Sequence, residues 1–173
     1  MRTTLEGGGD TAMHWGRLSA DFEFDGSWRD IYVLDAALPD WSKVWNCLFD
    51  LNPRPALNSA DYSGPMPKSF DWAGQLAGGR AHLGVAFGKI TFNCHFFDES
   101  QIEFDLDPRF VNSLAEAEDI ARFMTLLGEA TGKAVISTWE NCQDAVIARY
   151  DPVSTEVTWL PVVGPSAKLP SSE

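Results

Sequence analysis

Two runs of alternating apolar and polar residues, joined by the polar segment Asp98-Glu99-Ser100, constrain the fold of this chain more than any other feature. In the first run the apolar positions are Phe92, Cys94 and Phe96, and the polar ones are Thr91, Asn93 and His95. In the second run the apolar positions are Ile102, Phe104 and Leu106, and the polar ones are Glu103, Asp105 and Asp107. Because successive side chains of a β-strand point to opposite faces, this period predicts a β-hairpin with one apolar and one polar face.

The register of this hairpin follows if both apolar sets must point into one core. We then expect Phe96 to lie opposite Ile102, which calls for a loop of three or five residues instead of two. Directly paired residues have Cβ atoms about 4.5–5.5 Å apart. The register therefore brings together three polar pairs, which are His95 with Glu103, Asn93 with Asp105 and Thr91 with Asp107.

Three other segments have short-range residue patterns that predict secondary structure. Alternation around the turn Asp25-Gly26 predicts a first hairpin with strands near 18–24 and 31–34. Helical spacing from Trp41 to Leu48 predicts a short helix with Asp40 as N-cap. A capping box of Ser113 and Glu116 predicts a longer helix that ends at Gly132. Its apolar stripe is Leu114, Ala117, Ile120 or Ala121, Met124 and Leu127.

Further strands are predicted at 83–87, 89–97 and 101–106, and in the segments KAVISTWE, AVIARYD and TEVTWL. The expected fold class is α+β, a mostly antiparallel sheet with two main helices packed on one face. We expect one domain over residues 14–163, with mobile tails at 1–13 and 164–173. The proline-rich residues 52–69 are expected to form a long loop suited to interaction, followed by a brief helix near 70–77.

Composition restricts the class of partner. The 173 residues include 13 basic and 25 acidic side chains, a net charge of −12. Such a charge disfavours nucleic acid and anionic membranes. It favours a basic protein or a cation, and it is also typical of proteins that are acidic for solubility alone. The sequence contains neither an apolar run long enough to span a bilayer nor a secretory signal. The three cysteines, Cys47, Cys94 and Cys142, suit reduced, mostly buried thiols and a cytoplasmic protein.

Much of the negative charge is concentrated in one segment. Residues 98–119 contain eight acidic side chains and one basic side chain, Arg109, which gives a local charge of −7. The acids of the α-helical part are favoured by the helix dipole, whereas those from Asp98 to Asp107 are not. Trp28 and Arg29 follow a predicted turn. Their ring and guanidinium can contact a partner there, or they can have a structural role at the edge of the core. The candidate binding residues are Trp28, Arg29, Asn93, His95, Asp98, Glu99, Glu103, Asp105 and Asp107.

Three interpretations of the polar face remain open. It can be a solvated outer face with structural roles only, a protein-recognition surface, or a catalytic or metal-binding face using His95, Glu103 and Asp105. No spacing specifies a catalytic residue, a metal ligand or a cofactor site, and the glycine-containing segments match no nucleotide-binding motif.

The segments FDGSWRDIYV, IEFDLDPR and FMTLLGEATGKAVISTWEN resemble small acidic bacterial proteins of the polymorphic-toxin immunity type and their uncharacterised relatives. The resemblance implies a non-enzymatic cytoplasmic protein that binds and blocks a toxin, and the negative charge of the chain adds that this partner is basic. The alternative is a small hydrolase or metal-binding enzyme. No binding residue follows from the resemblance, so the candidate residues rest on charge and register alone.

Overall fold

Nine antiparallel strands form one sheet in the computed structural model, which describes residues 14–72 and 80–162. The spatial order is β3-β2-β4-β5-β6-β1-β7-β8-β9, so β1 lies in the middle of the sheet between β6 and β7. The strands are β1 (Arg29–Val33), β2 (Ala56–Asn58), β3 (Ser63–Pro65), β4 (His82–Phe87), β5 (Ile90–Asp98), β6 (Gln101–Leu106), β7 (Val135–Trp139), β8 (Cys142–Asp151) and β9 (Glu156–Trp159).

Three α-helices occur within the same residues, and with the sheet they confirm the α+β class. They are α1 (Trp15–Leu18), α2 (Leu38–Phe49) and α3 (Leu114–Thr131). Short 3-10 helices span Ser19–Phe22 and Pro108–Phe110. The predicted tails at 1–13 and 164–173, and residues 73–77 of the predicted brief helix, lie outside the described residues.

Helix α3 begins and ends as its sequence predicts. The Ser113 hydroxyl accepts a hydrogen bond from Ala115 N–H and also bonds the Glu116 carboxylate, and Gly132 ends the helix with a positive φ of 69°. The predicted buried stripe is confirmed at Ala117, Ile120, Met124 and Leu127, but it omitted Phe123, which is equally buried.

Helix α2 starts earlier than predicted. Its N-cap is Ala37, and Asp40 sits inside the first turn, where its carboxylate accepts a hydrogen bond from Ala37 N–H at 3.0 Å. Pro39 has no N–H and therefore fits the first turn, where such a group has no partner within the helix. The side chains of Trp41 and Trp45 are buried and contact the ring of Phe96 on β5.

The predicted first hairpin is wrong, because residues 15–22 are helical. Leu18 and Phe22 are four residues apart and both buried, a spacing that fits successive helical turns as well as alternation. Strand β1 already pairs with β6 on one side and β7 on the other, so it has no free edge for an earlier strand. The return strand of that prediction is confirmed as β1.

Residues 52–69 are not one long loop, because they contain β2 and β3. Strand β2 pairs with both β3 and β4, and the buried side chain of Leu57 anchors it in the core. Pro65 is tolerated because β3 is an edge strand, where a missing N–H donor costs no sheet hydrogen bond.

The β5–β6 hairpin has the predicted register at two of the three polar pairs, His95 with Glu103 and Asn93 with Asp105. The expected longer loop is replaced by a two-residue turn between Asp98 and Gln101, together with a β-bulge. Phe96 and Phe97 both lie opposite Ile102, so the bulge supplies the extra residue that keeps Phe96 in the core. Thr91 and Asp107 do not pair, since β6 ends at Leu106.

The described helices include none long and apolar enough to cross a bilayer. All three cysteines carry free thiols, and Cys94 is buried as expected, whereas Cys142 is exposed.

Candidate functional site: the polar face of the central strands

Strands β4, β5, β6 and β1 present polar side chains on the sheet face opposite the apolar core positions Phe92, Cys94 and Phe104. The alternation within each strand fixes this arrangement, and cross-strand register brings the side chains together. We call this set the polar face, and its members are Asp30, Tyr32, His82, Asn93, His95, Glu103 and Asp105.

One half of the polar face is a chain of hydrogen bonds that joins two histidines through an amide and a carboxylate. The Nε2 atom of His82 lies 3.1 Å from Asn93 Oδ1, and Asn93 Nδ2 donates to Asp105 Oδ1 at 2.9 Å. The other oxygen of Asp105, Oδ2, lies 2.8 Å from His95 Nε2. The predicted pairing of His95 with Glu103 therefore holds for the backbone register but not for the side chains, since the imidazole contacts the diagonal carboxylate.

The other half is built around the hydroxyl of Tyr32. This hydroxyl donates to Asp30 Oδ2 at 2.9 Å and lies 3.5 Å from Glu103 Oε1. Asp30 Oδ2 also accepts a hydrogen bond from the Asn141 N–H at 2.7 Å, and Glu103 Oε2 accepts one from Gln101 Nε2. Two carboxylates on neighbouring strands are thus held close to one phenol.

These two carboxylates are buried without a cation. Asp30 is 2% and Glu103 8% exposed, and no Lys or Arg in residues 14–72 and 80–162 forms an ion pair with either. Burial raises the pKa of both carboxyl groups, and the charge of Asp30 adds to the increase in the pKa of Glu103. Burial and the hydrogen bond to Asp30 also raise the pKa of Tyr32, which keeps the phenol protonated. A solvated outer face does not explain such carboxylates, because ionised groups are normally buried only with a partner.

Two adjoining cavities of about 340 and 370 Å³ open on the polar face. Both are lined by His95, Asp105 and Glu140, and we refer to them together as the groove. Trp28 lines one cavity and Phe97 the other, and the Phe97 ring stacks on His95 with centroids 5.4 Å apart. The remaining lining residues are Asp30, His82, Asn93, Gln101, Glu103 and Asn141.

Five of the nine candidate binding residues line the groove, namely Trp28, Asn93, His95, Glu103 and Asp105. Asp98 and Glu99 lie in the exposed β5–β6 turn, outside the groove. Hydrogen bonds from the Ser100 hydroxyl and N–H hold the pKa of Asp98 below its ordinary value. These two acids can contribute charge to the approach of a partner, but they are not part of the cavity.

Two candidates have structural contacts elsewhere. Asp107 is buried, caps the Pro108–Phe110 helix through Arg109 N–H and pairs with the Arg109 guanidinium at 2.7 Å. Hydrogen bonds from Arg109 hold the pKa of Asp107 below its ordinary value. Asp107 therefore already has a cation, and its predicted role in binding stays a prediction.

Arg29 is fully buried, because its side chain stabilises the chain segment that precedes β1. Its guanidinium donates to the carbonyl oxygens of Asp21, Glu23 and Trp28 at 2.6, 3.0 and 2.8 Å. It also stacks 3.6 Å from the centroid of Trp139. These contacts give Arg29 a structural role, and its predicted role in binding stays a prediction.

Several groove residues were missed by sequence reasoning. The alternation of β1 assigns Asp30 and Tyr32 to one face, but it does not reveal that β1 inserts beside β6. His82 carries no sequence signal for a partner, and it meets Asn93 only through the pairing of β4 with β5. Glu140 and Asn141 form the β7–β8 turn, and only the strand order places that turn next to Asp30.

The chemistry available to the groove is that of carboxylates, imidazoles and aromatic rings. Its lining residues include no Ser, Thr or Cys that could serve as a nucleophile. Among residues 14–72 and 80–162, no group of three or more His, Cys, Asp or Glu side chains is arranged to hold a metal ion. The four carboxylates of Asp30, Glu103, Asp105 and Glu140 favour a cationic ligand.

No family model, curated protein or solved structure matches the chain.

Proposed function

We propose that this protein is a non-enzymatic binding module that uses its polar face to bind a basic protein, most concretely as an immunity-type inhibitor of a basic toxin in the cytoplasm. One observation carries the proposal. The groove is lined by four carboxylates and by no Lys or Arg among its described lining residues. A surface of this charge attracts cations and disfavours nucleic acid and anionic lipid.

The surroundings of the groove support protein binding. Trp28 and Phe97 lie at the groove, and aromatic side chains beside buried polar groups are the usual anchors of protein interfaces. Phe97 is 59% exposed, so its ring is available to a partner. Asp98 and Glu99 add exposed negative charge nearby and can speed the approach of a basic partner. We infer that α2 and α3 cover the opposite, apolar face of the sheet and leave the polar face available.

The second candidate function is a small hydrolase that uses His95, Glu103 and Asp105. The contact in its favour is the 2.8 Å approach of His95 Nε2 to Asp105 Oδ2, an arrangement that can orient an imidazole for proton transfer. A metal scan of the purified protein separates the metal-dependent form of this function from the binding function. Stoichiometric divalent metal would favour the enzyme.

The proposal is tested by the binding of the product of the adjacent gene to the purified protein. The double variant Glu103→Gln and Asp105→Asn should weaken the affinity about tenfold or more, because each change removes a charge-assisted hydrogen-bond acceptor. Affinity should also fall as the salt concentration rises. Binding is measured by calorimetry after a pull-down identifies the complex.

The matched control is the double variant Glu129→Gln and Glu156→Gln, which makes the same change of charge on exposed residues of α3 and β9. We expect this control to bind within about twofold of the unmodified protein, since single exposed charges far from an interface contribute little. Equal affinities at low salt for the groove variant and the unmodified protein would contradict the assignment of the polar face.

A further inference from the structure

We propose that the groove binds an arginine side chain of the basic partner, with the guanidinium between Asp30, Glu103 and Glu140 and one of its faces against Phe97. This inference rests on the proposed function, because it identifies the group on the partner that the polar face recognises. Three features support it: the acceptor atoms that line the groove, the flat ring of Phe97 at its edge, and the absence of Lys and Arg among its described lining residues.

The carboxylates of the groove retain free acceptor atoms. Asp30 uses Oδ2 for both of its hydrogen bonds, and its Oδ1 accepts none from the described residues. Glu140 uses Oε2 to accept the Trp28 N–H at 3.1 Å, and its Oε1 accepts none from the same residues. Glu103 Oε1 has only the long contact to Tyr32. Three carboxylates thus each offer one oxygen to an incoming donor.

An arginine side chain matches these acceptors better than other cations do. A guanidinium carries five N–H donors in a rigid plane, whereas a lysine ammonium is a compact and more strongly hydrated point charge. The acceptors are the carboxylates of Asp30 on β1, Glu103 on β6 and Glu140 in the β7–β8 turn. Because they come from three different elements, several N–H groups of one guanidinium can each meet a different carboxylate. The described residues supply no constellation for a metal ion, so a divalent cation is not favoured.

The aromatic edge of the groove supplies the second part of the recognition. The Phe97 and His95 rings are nearly parallel, with an interplanar angle of 18°, and Phe97 remains largely exposed. A guanidinium stacks on such a ring and gains cation–π stabilisation that is larger where water is excluded. The bulge of β5 places Phe97 in this position, because it is the extra residue opposite Ile102.

Binding of a cation should depend on pH. Burial raises the pKa of Asp30 and Glu103, so their ionised forms, which the cation requires, become more populated as pH rises. A guanidinium stabilises the ionised forms and releases the protons they hold. The titratable groups that face the site from all neighbouring elements are Asp30, Tyr32, His82, His95, Glu103, Asp105 and Glu140. The phenol of Tyr32 is already protonated. Protonation of any of the other side chains makes the groove less negative and therefore weakens the binding of a cation.

The experiment titrates the full chain with N-acetyl-arginine amide and follows the Trp28 indole and His95 ring signals by NMR. N-acetyl-lysine amide tests the shape of the cation, and N-acetyl-citrulline amide tests the charge. We expect saturable shifts with the arginine probe, weaker binding of the lysine probe, none of the citrulline probe, and tighter arginine binding at pH 8 than at pH 5.

Variants locate the probe. Asp30→Asn and Glu140→Gln should each weaken binding of the arginine probe about tenfold or more, the effect of one hydrogen bond to a charged group. Phe97→Ala should weaken it a few fold. Glu156→Gln on the edge strand β9 is the matched control and should leave the affinity unchanged. Circular dichroism should show that each variant keeps the secondary structure of the unmodified protein.

Absence of saturable shifts, or equal affinity of the unmodified protein and Asp30→Asn for the arginine probe, would overturn the inference. Lysine binding as tight as arginine binding would also overturn it. If the basic partner binds and responds to Glu103→Gln with Asp105→Asn while the arginine probe does not bind, the inference fails and the proposed function stands. If the probe binds as expected but the basic partner does not, the proposed function fails and the arginine site stands.

Discussion

Replacing Phe123 with Ala should lower the free energy of unfolding by about 3–5 kcal/mol, the range for removing a fully buried aromatic ring. Phe123 is 0% exposed and stacks on Phe92 of β5 with ring centroids 4.0 Å apart. Its ring also meets Phe104 and Phe87 at 5.1 and 5.5 Å. The change therefore leaves a cavity where α3 meets the central strands. Urea denaturation of the purified variant measures the loss.

Phe110→Ala is the control, because Phe110 is 62% exposed. Its effect should stay within about 0.5 kcal/mol, as for most surface substitutions. A loss below about 1 kcal/mol for Phe123→Ala would show that α3 does not pack on the sheet through this ring.

Arg29→Ala should lower the free energy of unfolding by about 3 kcal/mol or more. The guanidinium satisfies the carbonyl oxygens of Asp21, Glu23 and Trp28, and an unsatisfied buried acceptor costs about 1–3 kcal/mol. Arg29→Lys should also destabilise, because an ammonium cannot reproduce the planar fork of donors. Thermal and urea denaturation measure both variants, with the exposed Arg149→Ala as control.

The same variants separate a structural from a binding role of Arg29. Under conditions where Arg29→Lys remains folded, its affinity for the basic partner should equal that of the unmodified protein. Unchanged stability together with lost partner binding would restore the binding role that the sequence suggested.

Features set by local patterns were predictable from the sequence. The alternation on either side of Asp98-Glu99-Ser100 predicted the pairing of His95 with Glu103 and of Asn93 with Asp105, because a one-residue slip would bury carboxylates among the phenylalanines. The capping box at Ser113 and the glycine at 132 likewise defined α3. Phe123 was missed because the helix buries a wider stripe than the one chosen, and a helix against a broad sheet can bury adjacent positions such as Phe123 and Met124.

Features set by distant parts of the chain were not predictable. The strand order inserts β1 between β6 and β7, and this insertion alone brings Asp30, Tyr32 and Glu140 to Glu103 and Asp105. The segment at 18–24 was misassigned because Leu18 and Phe22 satisfy both the alternating and the helical spacing. The diagonal contact of His95 with Asp105 depends on side-chain conformations that a register does not specify.

We propose that the buried carboxylates of the polar face are retained for a cationic ligand, at a cost to the stability of the protein alone. Asp30 and Glu103 have a raised pKa in the folded protein, so the folded state holds their protons more tightly than the unfolded state does. Their protonated forms therefore favour folding at low pH, and this advantage is lost as pH rises through the raised pKa values. Functional sites commonly contain such destabilising groups.

The most direct test is the free energy of unfolding of Glu103→Gln and of the unmodified protein, compared without any partner from pH 4, below the ordinary pKa of a glutamate, to pH 8. We predict that the variant is the more stable protein at pH 8 and that the difference shrinks as pH falls. Asp98→Asn, in the adjoining turn, should show the opposite sign, because hydrogen bonds lower the Asp98 pKa and its ionised form favours folding. A Glu103→Gln protein that is less stable than the unmodified protein at pH 8, or a difference that does not change with pH, would contradict the account.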